Sequence, residues 1–198
     1  MLPIRAAVSL SAPARLVLKT TTKEKRLRLP KTMPFIDNLF TTMTKRRLFP
    51  ELNQRVYSMA HVEKIAAKER IRVVFDECLP GILGYLCHKQ TGARKRTRRI
   101  IVIDRQLGEL ERTYVAMHEI AHHFLHIPIS ARLWFACPST AKITRSKHDH
   151  EADVFALIAL IPAPLMIDLD AVQYEDVDPA FRRLCERRKR EVWDRYGC

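Results

Sequence analysis

Residues 117–126 read Met-His-Glu-Ile-Ala-His-His-Phe-Leu-His and contain an HExxH motif that runs from His118 to His122. Residues four apart on an α-helix differ by about 40° in direction and about 6 Å in height, so these two imidazoles can share a metal ion. Glu119 is turned by about 100° from His118, which points its carboxylate towards a water bound to that ion. Zinc with three protein ligands lowers the pKa of such a water to about 7, where a carboxylate can take its proton. The motif therefore predicts a zinc hydrolase that cleaves peptide bonds.

The sequence around the motif favours this interpretation over a surface helix that carries histidines by chance. Gly108 interrupts the preceding run, Glu109 and Glu111 suit a helix N-terminus, and Pro128 ends the pattern. The apolar face of the helix consists of Tyr114, Val115, Ala121, Phe124 and Leu125. A helix with such a face packs against a core, which is where a metal site is held in place.

Composition predicts one globular domain in a reducing compartment. The chain has 198 residues, of which 47% are hydrophobic and 29% are charged, and this is enough for one sizeable core. The five cysteines form no CxxC pair and leave an odd thiol, which is typical of a cytoplasmic protein and not of a disulfide framework. No apolar run reaches the roughly 18 to 20 residues that cross a bilayer, so we expect no membrane span.

The positive charge is concentrated at the N-terminus. Of the net charge of +13, residues 1–50 account for +9, with 11 Lys and Arg against two acidic residues. We therefore expect residues 1–48 to form a basic, disordered tail and residues 49–198 to form the zinc metallopeptidase domain with a charged C-terminal helix. Such a tail binds nucleic acid at most weakly and without sequence preference, through phosphate contacts.

The first half of the domain alternates between helix and strand patterns. An amphipathic helix is predicted from Phe49 to Arg70, followed by a strand at 71–75. A second strand at 81–87 follows a Pro-Gly turn, and the two strands together suggest a hairpin. A polar loop over 90–99 then leads to Ile100-Ile101-Val102-Ile103-Asp104, the clearest strand pattern in the chain.

The second half is predicted to be mainly helical. After Pro128 the pattern is irregular, with Trp134, Phe135 and Pro138 as anchors of a loop. Residues 152–161 are almost entirely apolar, which indicates a buried helix, and residues 180–196 form a charged last helix. The fold class is therefore α+β, a short β-sheet packed on the HExxH helix and on a second buried helix.

The third zinc ligand is expected at the start of the buried helix. His126 lies about 12 Å along the helix axis from His118, too far for both to bind one ion. Glu151 begins an apolar helix, where an ionised carboxylate is costly to bury unless a partner such as a dication compensates it. Asp149 is better explained as a helix cap. This chemistry favours Glu151 as the ligand, while a cap remains the alternative for either carboxylate.

Two coupled motifs resemble the ImmA/IrrE family of metallopeptidases. His-Glu-Ile-Ala-His-His-Phe-Leu-His is followed by Glu-Ala-Asp-Val-Phe-Ala-Leu-Ile-Ala-Leu-Ile-Pro at 151–162, which is similar to the family pattern E-A-N/D-x-F-A-x-x-L-L-M-P. Ile161 replaces the usual methionine, and the likeness covers about residues 55–170. The resemblance implies a small zincin-like domain of gluzincin-like design.

The same resemblance implies the roles of the site residues and the class of substrate. It assigns His118, His122 and Glu151 to Zn²⁺ and Glu119 to general base catalysis. It also implies that the substrate is a helix-turn-helix transcriptional repressor encoded nearby, which makes the protein a regulator of transcription. Tyr85, Tyr114, His148 and His150 are all candidates for the group that stabilises the oxyanion.

The alternative function is a non-catalytic or toxin-like module that binds a repressor or antitoxin and has a structural zinc site. Such a module would share the HExxH motif. Glu119 favours catalysis, because a structural site needs no carboxylate between its histidines and usually has four protein ligands. A DNA-binding regulator is less well supported, because residues 1–50 show little of the helical pattern that a helix-turn-helix requires.

Overall fold

The computed structural model describes residues 34–45, 47–91, 96–126, 135–138, 146–166 and 178–198. The helices are α1 (Pro34–Lys45), α2 (Met59–Lys68), α3 (Glu109–Leu125), α4 (Lys147–Leu160), α5 (Pro179–Arg188), which continues as a π-helical segment (Lys189–Trp193), and α6 (Asp194–Tyr196). The strands are β1 (Ile71–Asp76), β2 (Ile82–Thr91), β3 (Arg96–Asp104) and β4 (Phe135–Pro138). Helix α3 packs against the sheet and against α4, which confirms the predicted α+β class.

The four strands form one sheet in the order β1-β3-β2-β4. Strand β3 is parallel to β1 and antiparallel to β2, so the predicted hairpin of the first two strands is wrong. The most apolar strand takes the central position, where Ile101 and Ile103 are fully buried. The predicted loop over 90–99 is also too long, because the antiparallel pairing continues to Thr91 and Arg96. Residues 135–138, expected in a loop, pair with β2 as the edge strand.

Helix α3 lies very close to strand β2. A Cβ added to Gly84 would clash with the Val115 side chain and would lie 2.7 Å from the Val102 carbonyl oxygen. Only glycine therefore allows this approach. The contact fixes the height of the HExxH helix over the sheet, since Val115 lies one turn before His118.

The burial of α3 exceeds the single apolar face that its sequence suggests. Every residue from Thr113 to Phe124 is buried, because the sheet covers one side of the helix and α4 covers another. The helix begins after Gly108, whose backbone N–H donates to Glu111 Oε2 at 3.4 Å. The expected helix around the motif is therefore confirmed, and its polar residues lie in the interior.

Helix α4 is the second buried helix that the sequence predicts. All residues from Ala152 to Leu160 are buried. The helix begins with a capping box, in which the Asp149 backbone N–H donates to Ser146 Oγ at 3.1 Å and Ser146 N–H donates to Asp149 Oδ2 at 2.9 Å. This capping box fixes where α4 begins.

Helix α1 corrects the predicted domain boundary. The expected tail included residues 34–48, but these residues contribute to the core, where Leu39 and Met43 are fully buried. Leu48 and Phe49 follow them into the same cluster. Most of the positive charge of residues 1–50 lies before this helix, and residues 34–48 carry a net charge of only +2. Residues 1–33 lie outside the described residues, and their disorder stays a prediction.

The helix predicted from Phe49 to Arg70 is much shorter in the structure. Residues 50–55 form turns and a bend, residues 56 and 57 have no regular structure, and α2 begins only after Ser58, whose backbone N–H donates to His61 Nδ1 at 3.1 Å. The Tyr57 N–H donates to the Ala159 carbonyl oxygen at 2.9 Å, which ties this segment to the end of α4. Tertiary contacts therefore override the apolar periodicity.

The C-terminal helices are fastened by a buried arginine. Arg188 is fully buried and donates to the Ile161 carbonyl oxygen at 3.0 Å and to Asn53 Oδ1 at 2.9 Å. Burial lowers the pKa of its guanidinium to about 10. The predicted last helix over 180–196 is confirmed in extent, although its middle part is π-helical. Of the helices that the structure describes, none is both long and apolar enough to cross a membrane.

Candidate metal centre

His118 and His122 lie side by side in the interface between α3 and α4. Their Nε2 atoms are 3.0 Å apart, and both side chains are fully buried. Two nitrogen ligands at about 2.0 to 2.1 Å from a tetrahedral zinc ion would be about 3.3 Å apart. The helical spacing of the motif therefore brings together the two imidazoles that the sequence predicts.

Asp149 supplies the third donor of this group. Its Oδ1 lies 3.5 Å from His122 Nε2. Among the described residues, His118, His122 and Asp149 form the group that could hold a metal ion, with one ligand atom from each within 4.8 Å of the others. The second oxygen of Asp149 is part of the capping box with Ser146. The predicted cap is thus confirmed, and the same carboxylate also faces the histidines.

The structure does not bring Glu151 to the two histidines, so its geometry favours Asp149 over the predicted Glu151 as the third donor. Residues two apart on a helix differ by about 200° in direction, so Glu151 and Asp149 cannot face the same point. Glu151 Oε2 lies 2.9 Å from His126 Nε2, and its Oε1 lies 3.7 Å from the exposed Lys147 Nζ. The polar partner of this carboxylate is therefore His126, and not the pair of histidines in the motif.

Asp153 lies one turn after Asp149 and contacts the other side of His118. Its Oδ1 is 2.9 Å from His118 Nδ1 and also accepts a hydrogen bond from the Tyr114 hydroxyl. Arg187 Nη2 donates to Asp153 Oδ2 at 3.1 Å. Burial alone would raise the pKa of Asp153, but its hydrogen bond with His118 and the nearby Arg187 charge hold that pKa at about 2. The ionised carboxylate orients the ring of His118.

Glu119 is fully buried between α3 and strand β2. Neither carboxylate oxygen has a hydrogen-bond partner among the residues that the structure describes. Burial raises the pKa of Glu119 well above its usual value, and the negative charge of Asp149 raises it further. The Leu86 backbone opposes this shift weakly, without a hydrogen bond of normal geometry. A buried carboxyl group of this kind fits a neighbouring cation or a proton-transfer role.

The protonation state of His122 also suits a metal ligand. Burial lowers the pKa of its imidazole to about 3, although a hydrogen bond with Asp149 acts in the opposite direction. The ring is therefore neutral at pH 7 and offers a lone pair. Imidazole nitrogens and a carboxylate are donors that zinc and similar divalent ions accept.

Comparison with known proteins gives one match. The family model of the IrrE N-terminal-like domain, of the M78 peptidases, matches residues 68–190, which is more than half of the chain. The chain belongs to the IrrE N-terminal-like family. No curated protein and no solved structure gives a significant match.

Membership of the IrrE N-terminal-like family confirms the predicted resemblance and points to a metallopeptidase. It agrees with the buried group of His118, His122 and Asp149, which suits a metal ion. The matched range also includes α5, so Arg187 and its contact with Asp153 lie within the family domain.

The spacing of the acidic residues could have indicated that Asp149 faces the histidines, although the sequence analysis interpreted it only as a helix cap. Asp149 and Asp153 are four residues apart, as are His118 and His122. Two such pairs on facing helices can meet side chain to side chain. The IrrE-like fold packs α3 on α4 in this way, and one aspartate contacts each histidine.

The structure gives definite positions to the candidates for oxyanion stabilisation. The Tyr114 hydroxyl is engaged by Asp153, and His150 Nε2 lies 3.0 Å from the Tyr196 hydroxyl. The ring of His148 lies 4.5 Å from the ring of His126, between centroids. Tyr85 is partly exposed on strand β2.

Proposed function

We propose that this IrrE-like domain is a zinc-dependent endopeptidase, with His118, His122 and Asp149 as zinc ligands and Glu119 as the general base. The observation that carries the proposal is the fully buried Glu119 next to a set of three donors. Three protein ligands leave a position open for chemistry, whereas a structural zinc site usually has four. An aspartate ligand replaces the glutamate of the predicted gluzincin-like design.

Each residue of the site has a separate task in this mechanism. His118 and His122 would hold the ion through their Nε2 atoms, and the Asp149 carboxylate would supply negative charge. Zinc in such a site acidifies water and polarises a carbonyl group. Glu119 accepts the proton at its carboxylate and passes it to the amine that leaves the cleaved peptide. Burial raises the pKa of Glu119, which makes its carboxylate a stronger base than that of an exposed glutamate.

We propose a helix-turn-helix transcriptional repressor as the substrate. This part of the proposal rests on the likeness to the ImmA/IrrE metallopeptidases. A metallopeptidase that regulates transcription in this way would act in the cytoplasm, where its repressor is found. A toxin-like module that only binds its partner is the competing function.

The test mixes the purified protein with the helix-turn-helix repressor whose gene lies nearest to its own. We expect a discrete cut, located by mass spectrometry, that disappears with a chelator and in Glu119→Gln. Restoring activity with zinc completes the assignment. Stable co-elution of the two intact proteins in the presence of zinc would contradict catalysis and support the binding module.

A further inference from the structure

His126 contacts the side of His122 that faces away from the other donors. It caps the C-terminus of α3, is 3% exposed, and its Nδ1 lies 2.9 Å from His122 Nδ1. On its other side, His126 Nε2 lies 2.9 Å from Glu151 Oε2. The three side chains form a continuous line from α4 through His126 to His122. The function proposed above leaves His126 and Glu151 without a task.

The hydrogen atoms of this line can be assigned in one consistent way. His122 Nε2 faces His118 and Asp149, so this nitrogen needs a free lone pair for a metal ion. The proton of the neutral ring then lies on Nδ1 and is donated to His126 Nδ1. A nitrogen that accepts a hydrogen bond carries no proton, which leaves the His126 proton on Nε2, directed at Glu151.

We propose that His126 and Glu151 are positioning residues that fix the tautomer and the ring direction of His122. The proposal rests on the metal site proposed above. Histidines that bind metal commonly donate their second N–H to a carboxylate or carbonyl group, and the loss of that partner typically weakens metal binding 10- to 100-fold. Asp153 contacts His118 directly in this way, whereas for His122 the carboxylate of Glu151 acts through a second imidazole.

Two features distinguish this arrangement from ordinary core packing. If position 126 only filled space in the core, an apolar residue would suffice there, and no polar atoms would have to be buried. Glu151 is also largely covered, with 15% of its side chain exposed, whereas its other partner, Lys147, is an exposed lysine. The line therefore has a polar partner at every nitrogen of His126.

The test compares removal of a hydrogen bond with its conservative replacement. His126→Leu and Glu151→Leu remove the acceptor groups, whereas His126→Asn retains an acceptor close to the Nδ1 position and Glu151→Gln retains one for His126. His150→Leu is the matched control, because His150 lies on α4 next to Glu151 but contacts Tyr196 and not His126. Zinc affinity is measured by competition with a coloured chelator, and melting of the metal-free proteins reports on folding separately.

We expect zinc affinity to fall about 10- to 100-fold in the two leucine variants, with partial recovery in His126→Asn and Glu151→Gln and no change in His150→Leu. Nitrogen-15 NMR of the zinc-loaded wild-type protein should show the His126 proton on Nε2. A proton on His126 Nδ1, or leucine variants with wild-type affinity, would overturn the positioning proposal alone. A wild-type protein that binds no zinc would overturn the proposed function together with it.

Discussion

Asp153 Oδ1 lies 2.9 Å from His118 Nδ1, on the opposite side of the imidazole from the nitrogen that faces His122. The same oxygen accepts a hydrogen bond from the Tyr114 hydroxyl, and Arg187 donates a hydrogen bond to the other oxygen. Helices α3, α4 and α5 therefore meet at one buried carboxylate. His118 has little freedom to turn away from the proposed metal.

Removal of Asp153 should weaken metal binding without removing a ligand. We expect Asp153→Ala to lower zinc affinity about 10- to 100-fold, because His118 loses the group that orients it. Asp153→Asn should lose less, since its amide oxygen can still accept the His118 proton. Chelator competition measures both variants. Equal affinity in Asp153→Ala and wild type would show that His118 is oriented by other contacts.

Glu119→Gln should separate metal binding from catalysis. Glutamine keeps the size and the hydrogen-bonding capacity of the side chain but cannot act as a base. We expect one zinc ion per chain and a cleavage rate at least about 100-fold lower. Metal analysis and a timed cleavage assay measure the two quantities. Full turnover in the variant would remove Glu119 from the mechanism.

Asp149→Asn and Ser146→Ala should separate the role of Asp149 as a metal ligand from its role in the capping box. Asparagine can keep the hydrogen bonds with Ser146 but loses the ligand charge, so zinc binding should fall sharply with little change in metal-free stability. Ser146→Ala should cost about 1 kcal/mol of stability as a lost cap, with zinc still bound. Metal titration and urea unfolding of both variants provide the comparison. Wild-type zinc affinity in Asp149→Asn would return the ligand role to another residue.

The metal-free protein should lose stability in mild acid because of His122. Burial lowers the pKa of this imidazole to about 3, against about 6.5 in the unfolded chain. Between these values the unfolded state binds one more proton at this residue, so the contribution of His122 to stability falls by about 1.4 kcal/mol for each pH unit below about 6.5, whereas Glu119, with its raised pKa, acts in the opposite direction. Asp149 and Asp153 also have lowered pKa values, and their stabilising effect is lost only below about 4.

Urea unfolding with a chelator present measures this dependence between about pH 7 and about pH 5, where the aspartates stay ionised. His122→Asn should show a smaller slope over the same range. An equal slope in the variant and the wild type would assign the acid sensitivity to other groups.

Helix α1 should be essential for stability although it precedes the matched family range. Leu39 and Met43 are fully buried, so replacement of either by alanine should cost about 2 to 5 kcal/mol. Thr41→Ala on the exposed side of the same helix should change little. Chemical unfolding compares the three variants. Wild-type stability of Leu39→Ala would restore the predicted domain boundary at residue 48.

Local patterns in the sequence predict the elements that carry the site but not the way in which they meet. The HExxH helix and the apolar strand at 100–104 are long, regular patterns, and both are found where predicted. The position of β3 between β1 and β2 depends on contacts between distant segments, which periodicity does not encode. Helix α1 was missed because the positive charge of residues 1–50 dominates their composition.

Local sequence patterns also fail to identify the third ligand. Glu151 and Asp149 are both plausible ligands on charge and position in the sequence. Which one faces α3 depends on the rotation of α4, and the packing of its buried residues 152–160 against α3 and the rest of the core sets that rotation. Chemistry alone favoured Glu151, because a buried acid needs a partner, but that partner is His126.

Location of zinc by anomalous X-ray diffraction tests the central claim most directly. Crystals of the zinc-loaded protein are measured on both sides of the zinc absorption edge. The anomalous difference map should show one peak within bonding distance of His118 Nε2, His122 Nε2 and the Asp149 carboxylate, with Glu151 hydrogen-bonded to His126. A peak bonded to Glu151 in place of Asp149, or a zinc ion away from the two histidines, would contradict the account.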